Sequence, residues 1–68
     1  MMNYDERYVF NMRIKEGKER QYKELYDLAL ADYESAKEIA QQAEDDGGIE
    51  QANWHIDWCK HEMDEKQR

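Results

Sequence analysis

The sequence predicts a mainly α fold: one N-terminal β-strand, then an antiparallel helical hairpin of a long and a shorter helix, with the strand paired to that of a second copy across a two-fold axis. Three observations predict it. Residues 7–15, RYVFNMRIK, alternate in character. Residues 18–45 carry apolar side chains at spacings of three and four. "EDDGG", residues 44–48, separates that run from a second helical pattern over residues 49–66.

In the first element Tyr8, Phe10, Met12 and Ile14 fall on one face, and Arg7, Val9, Asn11, Arg13 and Lys15 on the other. On a helical wheel the same apolar residues scatter, so period two predicts a strand over about 7–15. Gly17 then breaks the pattern. The rival reading is a short helix that ends at Gly17. Arg7, Arg13 and Lys15 make a charged outer edge of the kind that discourages aggregation.

The long helix spans about 18–45. Tyr22, Tyr26, Ala29, Tyr33, Ala36, Ala40 and Ala43 form a sustained seam, widened by Leu25, Leu28 and Ile39 on one flank and Leu30 on the other. Four-apart opposite charges, Lys15–Glu19, Glu19–Lys23, Arg20–Glu24 and Lys23–Asp27, describe a solvated face worth a few tenths of a kcal/mol per pair. The turn is placed at 46–48, where Gly47 or Gly48 can take the left-handed cap conformation. A second helix follows over about 49–66. The short connection folds the two helices back on each other.

On the second helix Ile49, Ala52, Ile56, Cys59 and Met63 form one stripe, expected to face Ala36, Ala40 and Ala43. Trp54 and Trp58, four apart, lie on the opposite side of the wheel, at ~100° per residue. A helix apolar on two faces is buried on two faces, and one hairpin covers only one. The lone strand, the Tyr22–Leu25–Tyr26 end beyond the shorter helix, and the Trp54–Trp58 face therefore all ask for a partner chain. The expected interface is Tyr8, Phe10, Met12, Ile14, Tyr22, Leu25, Tyr26, Trp54 and Trp58, in a homodimer.

Composition narrows the function. A chain of 68 residues makes a single small domain, over 1–68. Charged residues are 40% of it, but eight aromatics and clear periodicity argue for a folded chain. No apolar run approaches the ~20 residues of a membrane span, and the start lacks the layout of a signal peptide. A single cysteine makes no internal disulfide, and cytoplasmic residence is the simplest expectation. The net charge is −7, and residues 44–68 hold eight acids against three bases. That argues against direct binding to nucleic acid, whose phosphates need a basic footprint.

No reaction signature is found. "DDGG" lacks the Lys and Ser/Thr of a P-loop, and no nucleophile–base–orienter set occurs. His55, Cys59 and Glu62 could share one helix face and ligate a metal, but a zinc site takes three or four protein ligands and Cys59 also belongs to the apolar stripe. A core cysteine beside a boundary histidine is the plainer account, with no cofactor expected. His61 reads as solvated.

The order RYVFNMRI, then KERQYKELYDLALADYESAKEIAQQAED, then IEQANWHIDWCKHEMDEK resembles the small early proteins of lambdoid phages encoded between the exonuclease and excisionase genes. The resemblance rests on size, acidity and strand–helix–helix order. It implies a dimeric, non-enzymatic phage protein that biases development toward lysis or acts on host replication and cell-cycle control. The expected function is thus an acidic helical accessory protein that binds a host or cognate protein through an apolar cleft. Two alternatives stay open: a nucleic-acid mimic that inhibits a DNA-binding or defence protein, and an antitoxin-like partner of a basic protein.

Overall fold

A computed structural model describes residues 1–67 as three helices: α1 (Tyr4–Tyr22), α2 (Tyr26–Gln42) and α3 (Asp46–Lys66). The chain runs up, down and up. The central α2 packs against both neighbours, while α1 and α3 lie parallel and meet mainly through side chains. The bundle measures 40 × 17 × 12 Å.

The first correction concerns residues 7–15, which form no strand; none exists among the described residues, and no strand pairing between copies is available. Residues 7–15 lie inside α1. The helix starts on a capping box: the Asn3 side chain accepts from the Glu6 amide at 2.8 Å, and the Glu6 carboxylate accepts from the Asn3 amide at 2.9 Å. Its buried residues are Phe10, Ile14, Gly17 and Gln21, steps of four, three and four. Phe10 and Ile14, expected at an interface between chains, are core residues of this one. The strand–helix–helix order that carried the resemblance to phage early proteins is therefore not the order of this chain.

Gly17 does not end the helix. A Cβ built there would sit 2.5 Å from Cε1 of the buried Tyr33. The glycine is the point where α1 and α2 cross closely.

The second correction divides the long helix expected over 18–45. It breaks at Lys23–Leu25, with no glycine or proline at the break. Glu24 takes a left-handed φ of 63°. The Leu25 amide donates to the Arg20 carbonyl and the Glu24 amide to that of Gln21, the two bonds of a Schellman cap. The Arg20–Glu24 and Lys23–Asp27 pairs consequently have no common helix. Arg20 reaches Glu16 at 3.0 Å and the buried Asp32 at 3.1 Å instead.

The expected turn at 46–48 lies three residues earlier. Glu44, not a glycine, takes the left-handed conformation, at φ 53°. Asp45 is the N-cap of α3, its carboxylate accepting from the Gly48 amide at 2.9 Å. Gly48 serves contact, since a Cβ there would meet Ala40 Cβ at 2.9 Å and Met2 Cε at 3.0 Å.

The α2–α3 hairpin keeps part of the expected architecture. Ala29, Tyr33, Ala36 and Ala40 are fully buried on α2, and Ala52, Ile56 and Cys59 are buried on α3. With Met2, Phe10 and Ile14 they make one core. Each large member contributes ~1.5–3 kcal/mol by leaving water. No described helix is long and apolar enough to cross a membrane.

Candidate interaction groove between the first and third helices

Because α2 holds α1 and α3 side by side, a groove opens between them near their C-terminal ends. Lys18, Gln21 and Tyr22 of α1 form one wall and Trp58 and Glu62 of α3 the other, around about 220 Å³. Its lining is mostly apolar although two charged residues border it.

A hydrogen-bonded chain fixes the walls. The Tyr33 hydroxyl donates to Gln21 Oε1 at 2.7 Å, and Gln21 Nε2 donates to Glu62 Oε1 at 2.8 Å. Three helices are thereby tied through one buried amide. Burial, then the neighbouring Cys59, Glu62 and Asp32, pushes the Tyr33 phenol up to about 12, so it stays a donor. This chain explains why a polar Gln21 occupies the buried stripe of α1, where an unpaired amide would be costly.

His55 lies beside the groove. It is buried and stacks on Tyr33, ring centroids 5.1 Å apart. Trp54 meets it edge-on at 5.1 Å, and Trp58 lies 5.3 Å from Trp54. Burial, helped by Lys18, lowers the His55 pKa and keeps the ring neutral. Its Nδ1 is buried without a hydrogen-bond partner. The two indoles stand further out: Trp54 is 61% and Trp58 42% exposed, and Tyr22, across the groove, is 90% exposed.

Of the expected interface residues, the groove unites Tyr22 and Trp58, with Trp54 against Trp58. Tyr8, Met12 and Leu25 are exposed. Tyr26 is half-buried and lines an adjoining, more polar groove with Tyr22, Glu24, Glu62, Glu65 and Lys66. Lys18, Gln21 and Glu62 as walls were not anticipated. Lys18 and Gln21 fall in the helix expected over 18–45 and Glu62 in that expected over 49–66, but the strand expected over 7–15 left no first helix to set beside the last.

Cys59 is fully buried, its thiol pushed up by burial, then by Glu62 and Asp27, and its Sγ donates to the Tyr26 carbonyl at 3.9 Å. A thiol so placed is a packing group. Among the described residues no group of three or more His, Cys, Asp or Glu is arranged to hold a metal ion, the His55–Cys59–Glu62 set included.

Compared with known proteins, the chain matches no family model, no curated protein and no solved structure.

Proposed function

We propose that the chain is a non-enzymatic interaction protein that docks another protein chain through the Tyr22–Trp58–Trp54 face. One observation carries the reading: both tryptophans of the chain stand outside its core, together, on the rim of a preformed groove. Exposed aromatic clusters of this kind mark docking surfaces, where Trp and Tyr supply most of the binding energy. The buried, weakly acidic Cys59 and the neutral His55 support recognition rather than catalysis. The early phage role implied by the resemblance is one setting for such a protein.

Mimicry of nucleic acid is the weaker reading, because Lys15 and Lys18 interrupt the acidic surface on this side of the molecule. The test is crosslinking from position 22 with a photoreactive tyrosine analogue in cells. We expect adducts with another polypeptide that the Trp54→Ala/Trp58→Ala variant loses while keeping its helical circular dichroism. Adducts unaffected by the double variant would sink the proposal.

A further inference from the structure

Resting on that docking reading, we infer that the occupant of the face is a second copy of this chain, with a two-fold axis parallel to the helices. The argument begins with charge. The segment 4–22 of α1 carries five bases and four acids, a net +1, whereas the segment 46–66 of α3 carries six acids and two bases, a net −4. The two helices that border one groove are thus opposite in sign.

Their outward residues are aligned along the helices. On α1, Tyr4, Tyr8, Asn11, Lys15, Lys18 and Tyr22 are all exposed and step by four and three in alternation. Lys18 and Tyr22 line the groove, so the whole stripe borders it. On α3, Gln51, Trp54, Trp58 and Glu65 are exposed and Glu62 is half-buried, at steps of three, four, four and three, with Trp58 and Glu62 in the groove wall. Lys15 and Lys18 have no ion-pair partner among the described residues.

Symmetry decides the arrangement. Two faces can close on each other about an axis along the helices or about one across them. An axis across the helices sets α1 on α1 and α3 on α3, so it opposes like charges. An axis along the helices sets the α1 of each copy on the α3 of the other, twice, as an isologous interface requires. It also preserves height along the bundle. Met2 lies beside Gly48 at one end, and Gln21 beside Glu62 at the other. Lys15 and Lys18 of one copy therefore stand level with the Trp54–Trp58 turn of the next, with Glu62 about one turn beyond Lys18. Ammonium groups over indole faces and near carboxylates are attractive on both counts.

The size fits. The bundle's broad side measures 40 × 17 Å, of the order of the ~800 Å² per partner that a stable interface buries. This dimer contains no strand and uses neither Phe10 nor Ile14.

The experiment is analytical ultracentrifugation of the full chain and four variants, each checked for helicity. The wild type should sediment at twice the 8.3 kDa chain mass at micromolar concentration. Lys18→Glu should weaken the dimer at least tenfold, and Glu62→Lys likewise. The variant with both changes should recover it, because the reversed charges meet again across the two-fold. Helical reversal variants that dimerise like the wild type overturn the inference, as does a double-reversal variant that stays monomeric. A wild type that is monomeric at every concentration, yet crosslinks to a different protein from position 22, overturns the second copy and leaves the docking reading standing. A dimer indifferent to Trp54→Ala/Trp58→Ala overturns both.

Discussion

The two helix–helix turns use one device and support it differently. Each ends its helix on a Schellman cap with a left-handed glutamate, Glu24 or Glu44, and passes at once into the next helix. The second turn is reinforced from several sides. Asp45 caps α3, accepts from the Met2 amide at 3.3 Å and pairs with Arg7 at 3.4 Å, while the chain's amino group donates to the Ala43 carbonyl. In the first turn Leu25 stands at the N-cap and has no side-chain bond to give. What holds that hairpin closed is packing, above all the Gly17–Tyr33 crossing and the fully buried Phe10. Polar contacts, one local and three from the N-terminal segment, therefore support the second turn, and apolar packing the first.

The largest expected effect tests that division. Gly17→Ala forces a methyl group against the Tyr33 ring, which is buried and held by Gln21. Overpacking costs ~1–3 kcal/mol, and the better helix propensity of Ala returns only part of it. We expect a net loss of about 1–2 kcal/mol by chemical denaturation. Gly48→Ala, in the second hairpin, meets the fixed Cβ of Ala40 at 2.9 Å and the flexible end of Met2, a milder clash than three atoms of the Tyr33 ring, and should cost less, about 1 kcal/mol. Equal costs would show that the crossing is not what closes the first hairpin.

The same contrast explains what the sequence disclosed. The turn near "EDDGG", the α2–α3 hairpin, the alanine seam and the outlying tryptophans were all readable, because period and composition agreed there. The first turn was not. Tyr22 and Tyr26 continue the seam's spacing straight across it, and neither Glu24 nor Leu25 is a breaker by propensity. The strand over 7–15 was a false period. Tyr8, Phe10, Met12 and Ile14 do alternate, but the buried set of α1 includes a glycine and a glutamine, which no count of apolar residues recovers. The capping box in "NYDE" was the available signal for a helix start. Within the groove, Trp54, Trp58 and Tyr22 were legible, while the pairing of Lys18 and Gln21 with Glu62 depended on the break at Lys23–Leu25, which makes them the end of a separate helix.

Acid should act on the two hairpins in opposite directions. Backbone donation from Gly48, then from Met2, lowers the pKa of Asp45 below 3.8. Its contribution is present above the unfolded value and is lost as pH falls through the folded one. Asp32, between α1 and α2, is raised above 3.8 by burial and then by Glu16, against the pull of Arg20 and Arg13. Its contribution is present below the unfolded value and is lost as pH rises through the folded one. Going down through pH 4 therefore loosens the second turn and favours the first hairpin. In an NMR titration the Gly48 amide should shift with a midpoint below 3.8. At neutral pH, Asp45→Ala should lower the melting temperature by about 5 °C, as loss of one N-cap does in a chain this short. A Gly48 midpoint at or above the ordinary aspartate value would remove Asp45 as the special support of the second turn.

The smallest effect sharpens the comparison most, because it concerns the device the turns share. A glutamate at positive φ carries a steric cost that glycine avoids. Glu24→Gly and Glu44→Gly should therefore both stabilise, by about 0.5–1 kcal/mol, the gain being reduced by the greater freedom of glycine in the unfolded chain. The two gains need not be equal. Glu24 also pairs with Lys66 at 2.9 Å, and both side chains are more than half exposed, so losing that pair subtracts a few tenths of a kcal/mol at most. Glu44 has no ion pair among the described residues to lose. Glu44→Gly should accordingly be the better of the two, and Glu24→Gly should recover the difference when measured in a Lys66→Ala background. Thermal melts of the wild type, the two glycine variants, Lys66→Ala and its Glu24→Gly derivative decide it. If either glycine variant melts lower than its parent, the left-handed glutamate is not strained there, and the turns differ in more than their support.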